Sequence, residues 1–118
     1  MRPPAPTRVE LLQGTLDLLI LRTLLAGATH GHAIAKHIQR TSKDLLQVET
    51  GSLYPALHRL EARGWIAPSW ELSEKGKRAR FYRLTPTGRK HLVAERSKWD
   101  AFSRAMALIL NPVDQEAQ

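Results

Sequence analysis

Apolar side chains fall at helical spacing in the first part of the chain. They predict a helix from about residue 9 or 15 to residue 26, closed by Gly27. These side chains form two stripes rather than one. The first stripe consists of Leu12, Leu16, Leu19 and Ile20, and the second of Leu18, Leu21 and Leu25. A helix that is apolar on two sides must be buried on two sides, so the second stripe indicates a further partner.

The second predicted helix covers residues 31–40 and follows a turn at residues 30–32. Ile34 and Ile38 lie about one helical turn apart in this segment and are expected to face inward. A connector over residues 41–49 then leads from the second helix to the next segment with a helical pattern.

The third predicted helix covers residues 50–63, and Gly64 ends it. Its buried stripe is expected to consist of Leu53, Leu57 and Leu60. Either Thr50 or Ser52 is a suitable N-cap, and the pattern does not choose between them. Because proline is tolerated only near the first turn of a helix, Pro55 places the start of this helix nearby.

A β-hairpin follows the three helices. Residues 65–72 and 80–84 predict its strands, and the polar residues 73–77 predict the turn between them. Phe81 and Tyr82 are expected to point to opposite faces of the sheet. Three helices followed by a hairpin form a winged helix-turn-helix, so the predicted fold class is mainly α with a small β-hairpin.

A long helix is predicted at the end of the chain. Thr85 fits its N-cap and Pro86 its first position, and Asn111-Pro112 ends it. A helix of about 25 residues is about 37 Å long, which is more than one small domain needs. Its apolar positions are Leu92, Trp99, Phe102, Met106 and Ile109. From Trp99 onward these positions have coiled-coil spacing, which predicts packing against a second subunit.

Positive charge is concentrated in the middle of the chain. The 18 Lys and Arg residues and 11 Asp and Glu residues give a net charge of +7, and residues 50–91 carry nine basic and three acidic side chains. This local excess indicates a polyanionic partner, either nucleic acid or a membrane surface. The most apolar stretch, residues 11–25, is too short and too charged to span a bilayer. A cytoplasmic protein without a membrane partner is therefore expected.

Two candidate DNA-contacting surfaces follow one another in this basic region. The outer face of the third helix is expected to carry Ser52, Tyr54, Pro55, His58 and Arg59, and the hairpin carries Lys75, Lys77, Arg78, Arg80 and Arg83. An α-helix fits the major groove of DNA, and a basic hairpin neutralises phosphates. Either segment alone is typical of an ordinary solvated surface, but the two in succession favour binding to double-stranded DNA. Lys36 of the second helix completes the predicted DNA-binding residues.

Other kinds of chemistry have little support in the residues. The chain has no cysteine, which excludes disulfides, thiolate catalysis and cysteine zinc sites. Its five histidines are scattered, and no nucleophile, acid–base pair or Gly-rich phosphate loop is recognisable. The sequence therefore predicts neither an enzyme nor a metal or cofactor site. A winged-helix module that binds another protein is the alternative, although it would not need five cations on its hairpin.

The last helix also carries a candidate ligand site. Trp99 is expected either to anchor the dimer seam or to offer a planar face to a small aromatic or cationic effector between two subunits. The residues predicted for the dimer or ligand interface are Trp99, Phe102, Leu92, Met106 and Leu18.

Four segments of the chain match one known pattern. They are residues 51–61 (GSLYPALHRLE) with Gly64-Trp65-Ile66, residues 76–89 (GKRARFYRLTPTGR), residues 12–17 (LQGTLD) and residues 30–34 (HGHAI). Together they resemble the PadR family of bacterial transcriptional regulators. The first segment resembles the recognition helix of that family, and the second resembles its wing and the entry to its C-terminal helix. The resemblance covers about residues 9–110.

The resemblance implies a homodimer that binds a palindromic operator, usually as a repressor, with the first and last helices building the dimer. It implies that Tyr54 and Pro55 meet DNA and that the wing tip carries Lys75, Lys77 and Arg78. The chain is most similar to the short subfamily, which has a single C-terminal helix. Some of its members bind planar compounds at the dimer interface through a tryptophan at the position of Trp99.

The predicted organisation has four parts. Residues 1–8 form a flexible N-terminal arm, and residues 9–86 form the winged helix-turn-helix DNA-binding domain. Residues 87–111 form the C-terminal dimerisation helix, and residues 112–118 form a tail.

Overall fold

The computed structural model describes residues 13–111, which form four helices and three strands. They are α1 (Gln13–Leu25), β1 (Thr29–His30), α2 (Gly31–Thr41), α3 (Thr50–Ala62), β2 (Ile66–Leu72), β3 (Arg78–Leu84) and α4 (Pro86–Leu110). This architecture confirms the predicted winged helix-turn-helix with a long C-terminal helix. The predicted arm at residues 1–8 and the tail at residues 112–118 lie outside the described residues.

One hydrophobic core joins α1, α2 and α3 to the base of the sheet and the start of α4. Its buried members are Leu16, Ile20, Leu21, Leu24, Ile34, Ile38, Leu53, Ala56, Leu57, Leu60, Ile66, Tyr82 and Leu92. The predicted leucine stripe of α3 is entirely among them, so the opposite face of α3 turns to solvent.

The two stripes of α1 are divided differently from the prediction. The helix includes Gln13, so a start at Thr15 is wrong, and a start at residue 9 lies outside the described residues. Leu21 of the second stripe is in the core, whereas Leu18 is half-buried and Leu25 is exposed. The second stripe is therefore partly covered within the subunit, because its middle residue packs against the core.

The sheet has three antiparallel strands in the order β1-β3-β2, one strand more than the predicted hairpin. The segment predicted as a turn at residues 30–32 instead holds the end of β1, where His30 pairs with Phe81, and the start of α2. The Nδ1 atom of His30 also accepts a hydrogen bond from the Ala33 N–H (3.2 Å) and so caps α2. β2 is an edge strand, and it contains Pro68, which has no N–H.

The boundaries of α3 also differ in detail from the prediction. Its N-cap is Glu49, not Thr50 or Ser52. Pro55 is the sixth residue of the helix and so lies beyond the first turn, where it leaves the Gly51 carbonyl without a helical donor. Gly51 is exposed, so water can satisfy that carbonyl. The helix ends at Gly64, as predicted, in a left-handed conformation with φ of 75°.

The start and end of α4 confirm the predicted capping. Thr85 Oγ1 accepts a hydrogen bond from the Gly88 N–H (3.0 Å), and Pro86 is the first helical residue. Leu92 is only 4% exposed and packs inside the subunit, not on the predicted dimer or ligand surface. It is the last residue of α4 that the core covers. Beyond it, every described residue except Glu95 is exposed.

Candidate nucleic-acid interface

The outer face of α3 carries polar and aromatic side chains. Its exposed members are Ser52, Tyr54, Pro55 and His58. Tyr54 is 41% exposed, and its ring lies over the start of α2, where a Cβ on Gly31 would be 3.1 Å from Cε1. Because Gly31 has no side chain, α2 can support the Tyr54 ring and leave part of it accessible.

Arg59, which also belongs to the predicted reading face, is ion-paired within the subunit. Its Nη2 donates to Oδ1 of Asp17 on α1 at 2.8 Å, and the two side chains are 30% and 12% exposed. Arg59 Nε is buried and has no hydrogen-bond partner among the described residues. The sequence did not indicate this partner, because no spacing rule joins residues 42 positions apart.

Arg80 of β3 is held in a similar way by α3. Its Nη2 donates to both carboxylate oxygens of Glu61, at 2.9 and 2.7 Å. Its guanidinium carbon also lies 5.9 Å from the centroid of the Tyr82 ring. Glu61 therefore neutralises Arg80 inside the subunit and joins the wing to α3, which makes Arg80 less available to a phosphate than the cations of the tip.

The tip of the hairpin presents the remaining cations. Lys75, Lys77, Arg78 and Arg83 are exposed. None of them forms an ion pair with another residue in the range 13–111. The turn is closed by the Ser73 N–H, which donates to the Lys77 carbonyl at 2.7 Å, and Gly76 supplies the required φ of 74°. A closed turn of this kind holds positive charge ready for a phosphate backbone.

Lys36 is exposed on α2. Helical periodicity places it on the side opposite Ile34 and Ile38, away from the core. The exposed cations of the predicted set therefore come from α2, the hairpin turn and β3, a spread that suits an extended polyanion better than a single phosphate group.

A ring stack that sequence reasoning missed fixes the base of the wing to α4. The Trp65 and His91 rings are 3.5 Å apart between centroids, with an interplanar angle of 20°. The guanidinium carbon of Arg63 lies 5.0 Å from the Trp65 ring centroid, and His91 Nε2 lies 3.4 Å from Glu95 Oε1. The end of α3 is thereby coupled to the position of α4.

A cavity of about 290 Å³ lies between α1 and α4. Its lining residues are Gly14, Thr15, Leu18, Glu95, Lys98, Trp99 and Phe102. The structure thus brings Leu18, Trp99 and Phe102 together, as predicted for one interface, whereas Met106 is exposed farther along α4. The Trp99 and Phe102 rings are 6.0 Å apart. Aromatic rings beside one carboxylate suit a planar or cationic molecule.

The described residues contain no cluster of three or more His, Cys, Asp or Glu side chains placed to hold a metal ion. None of the helices among residues 13–111 is long and apolar enough to cross a membrane. The properties that distinguish this surface are therefore its charge and its shape.

Comparison with known proteins identifies relatives across most of the chain. Residues 20–94 match the transcriptional regulator PadR-like family. Over 95 residues the chain is 32% identical to the transcriptional regulator Rv3488 of Mycobacterium tuberculosis, covering 80% of this chain and 85% of that protein. This agreement extends the match beyond isolated motifs.

Solved structures show the same relationship. A transcriptional regulator from Clostridium thermocellum is 30% identical, with a TM-score of 0.73 over 80% of this chain and 88% of its own. A PadR family regulator from Eggerthella lenta is 27% identical, with a TM-score of 0.71 over 85% of each chain. Members of the family bind DNA and are typically dimers. The chain therefore belongs to the PadR-like family and is a transcriptional regulator, not an enzyme.

Proposed function

We propose that this protein is a homodimeric cytoplasmic repressor that reads a palindromic operator and is released by a small planar ligand. The observation that carries the proposal is that a polar helix face on α3 is followed directly by a hairpin tip with free cations. A helix of this kind fits the major groove, and the tip fits the flanking phosphate backbone.

An apolar strip on α4 supports the dimer. The strip consists of Trp99, Phe102, Met106 and Ile109, all of them exposed in the single subunit. A continuous apolar strip of this kind is a typical interaction surface, and a second copy of α4 offers the complementary strip. Two-fold pairing would present two α3 helices to two half-sites, so the operator would be palindromic.

The cavity between α1 and α4 supports release by a ligand. Trp99 and Phe102 supply aromatic surface, and Glu95 supplies negative charge, so a flat aromatic cation fits the lining. A ligand that binds one arrangement of α4 more tightly than another changes the populations of the two arrangements. Because α4 would connect the subunits, that change would alter the spacing of the two α3 helices.

Selection of genomic fragments by the full-length protein, followed by mobility shift at about 150 mM salt, tests DNA reading. We expect the selected fragments to share an inverted repeat and to reduce expression of a reporter placed behind them. Direct repeats would contradict the palindrome, and increased expression would contradict repression. If no fragment shifts, the winged-helix protein-interaction module becomes the better description.

Sedimentation equilibrium tests the dimer. Phe102→Glu places a charge in the apolar strip and should give a monomer. Arg104→Glu is the matched control, because Arg104 is also exposed on α4 but falls outside the seam spacing. A dimer that survives Phe102→Glu would place the subunit contact elsewhere.

A planar cationic dye tests the ligand site. We expect the dye to weaken binding of the wild-type protein to its operator and to have little effect on Trp99→Ala. Leu108→Ala is the control, since Leu108 is an exposed apolar residue of α4 that does not line the cavity. Identical responses of Trp99→Ala and wild type would remove Trp99 from the site.

A further inference from the structure

The exposed half of the wing carries an apolar face that the proposed reading by α3 does not use. Trp70 and Leu72 of β2 lie opposite Arg80 and Arg78 of β3, and all four side chains share one face of the sheet. Near the base of the hairpin this face continues into the core through Ile66. Toward the tip it leaves the core and faces solvent.

Trp70 is the largest side chain of this exposed face. It is 56% exposed, and Leu72 is 72% exposed. The guanidinium carbon of Arg78 lies 5.1 Å from the centroid of the Trp70 ring, so Arg78 covers only part of the indole. Arg80 is ion-paired with Glu61. The face therefore combines a solvated indole with one cation held against it.

The charges around this face indicate what would cover it. The tip cations are Lys75, Lys77 and Arg78. Of the nearby acids, Glu71 lies on the opposite face, where its carboxylate accepts a hydrogen bond from Ser69 Oγ at 2.8 Å, and Glu74 lies in the turn. The matching partner has negative charge and apolar surface close together. A DNA strand provides both, because a deoxyribose ring with apolar carbons lies between successive phosphates.

We propose that Trp70 is a DNA-contacting residue. Its indole packs against the deoxyribose wall of the minor groove beside the α3 site, and Arg78, held by the ring, meets the adjacent phosphate. The inference rests on the proposed DNA-binding function and adds to it a contact that is mainly apolar. Salt screens the contacts of Lys75 and Lys77, whereas it leaves an apolar contact largely unchanged. Because every nucleotide carries the same sugar, the contact depends on groove shape rather than on base identity.

Fluorescence quenching by acrylamide tests this contact in the full chain, which has three tryptophans. The variant Trp65→Phe/Trp99→Phe keeps only Trp70. On binding a mixed-sequence duplex of about 30 base pairs at low salt, its quenching constant should fall roughly twofold, because one ring face becomes covered. The matched control, Trp70→Phe/Trp99→Phe, keeps only Trp65. Since Trp65 is stacked on His91 at the base of the wing, its quenching should stay unchanged.

Binding measurements provide a second test. Trp70→Ala should weaken duplex binding by about tenfold. The slope of log affinity against log salt should remain that of wild type, whereas Lys77→Ala should make the slope shallower. Trp70→Phe should lose less affinity than Trp70→Ala, because phenylalanine keeps an aromatic face. Inorganic polyphosphate, which has charge but no sugar, should not protect Trp70 from acrylamide.

The outcomes separate this inference from the proposed function. If the duplex binds and Trp70 remains accessible, the inference is wrong, DNA binding stands, and a protein partner becomes the occupant of the face. Equal protection by polyphosphate would also overturn it, because the effect would then be purely electrostatic. If no duplex binds, both the inference and the proposed function fail.

Discussion

The carboxylate of Asp17 on α1 accepts a hydrogen bond from the guanidinium of Arg59 on α3, at 2.8 Å. The next residue of α1, Leu18, lines the cavity between α1 and α4. One short segment of α1 therefore contacts both the candidate ligand site and the helix proposed to read DNA. A shift of α1 would move the ion-pair partner of Arg59.

Replacing Asp17 with Asn keeps the size and one acceptor oxygen of the side chain but removes its charge. Because Asp17 is nearly buried, we expect the free energy of unfolding to fall by about 1–2 kcal/mol in a urea titration. Operator affinity should stay close to that of wild type, since Arg59 remains. Arg59→Ala, in contrast, should lower both stability and affinity. Unchanged stability in Asp17→Asn would show that the pair contributes nothing.

Removing the Tyr54 ring should weaken operator binding by about 1–3 kcal/mol, as expected for one good contact. Fluorescence anisotropy with a labelled operator fragment measures this loss for Tyr54→Ala. Tyr54→Phe keeps the ring against Gly31, so the difference between the two variants isolates the hydroxyl. Thermal unfolding serves as a check on the fold. Wild-type affinity in Tyr54→Ala would rule out Tyr54 as a reading residue.

Neutralising the tip of the wing should change how binding depends on salt. Each phosphate contact contributes about 0.9 to the slope of log affinity against log salt, so Lys75→Ala/Lys77→Ala should make the slope shallower by about 2. Lys90→Ala is the control, because Lys90 is an exposed cation of α4 outside the wing. A slope equal to that of wild type would exclude these two lysines from phosphate contact.

Gly88 is required where α4 begins against the wing. A Cβ at this position would overlap the Trp65 carbonyl oxygen and lie 2.8 Å from the Trp65 carbonyl carbon. Gly88→Ala should therefore reduce the free energy of unfolding by roughly 2 kcal/mol or more. Gly51→Ala is the control: its Cβ would meet nothing within 4 Å, and alanine favours the helix. Equal stability of the two variants would contradict the tight contact.

Tyr82 should make stability fall at high pH. Burial raises the pKa of Tyr82 above 10.0, although the nearby Arg80 guanidinium acts in the opposite direction. The folded state therefore favours the neutral phenol, and this stabilisation is complete below the unfolded pKa and is lost as pH rises through the folded pKa. Between about pH 9 and about pH 11, wild type should lose more thermal stability than Tyr82→Phe. Parallel losses would exclude Tyr82 as the titrating group.

Local rules predicted the elements with strong boundary residues. Thr85-Pro86 fixed the start of α4 to the residue, and Gly64 fixed the end of α3. The leucine stripe of α3 predicted its exposed face for the same reason, because helical periodicity acts over a few residues.

Contacts between distant parts of the chain could not be predicted in this way. β1 has only two residues, and it exists because Thr29 and His30 pair with β3 about 50 positions later. The partners of Arg59 and Arg80 are also set by tertiary packing, so two predicted DNA-contacting cations are engaged within the subunit. Leu92 fits the spacing of an outward seam only if α4 is considered without the core beneath its first turns.

Pro68 lies in the edge strand of the sheet, where another molecule could otherwise add a strand. Strand addition depends on main-chain N–H donors, and proline has none to give. The wing is thereby hindered from joining wings of other molecules into an extended sheet. Crowded regulators on neighbouring sites can then remain separate particles rather than nucleate an aggregate.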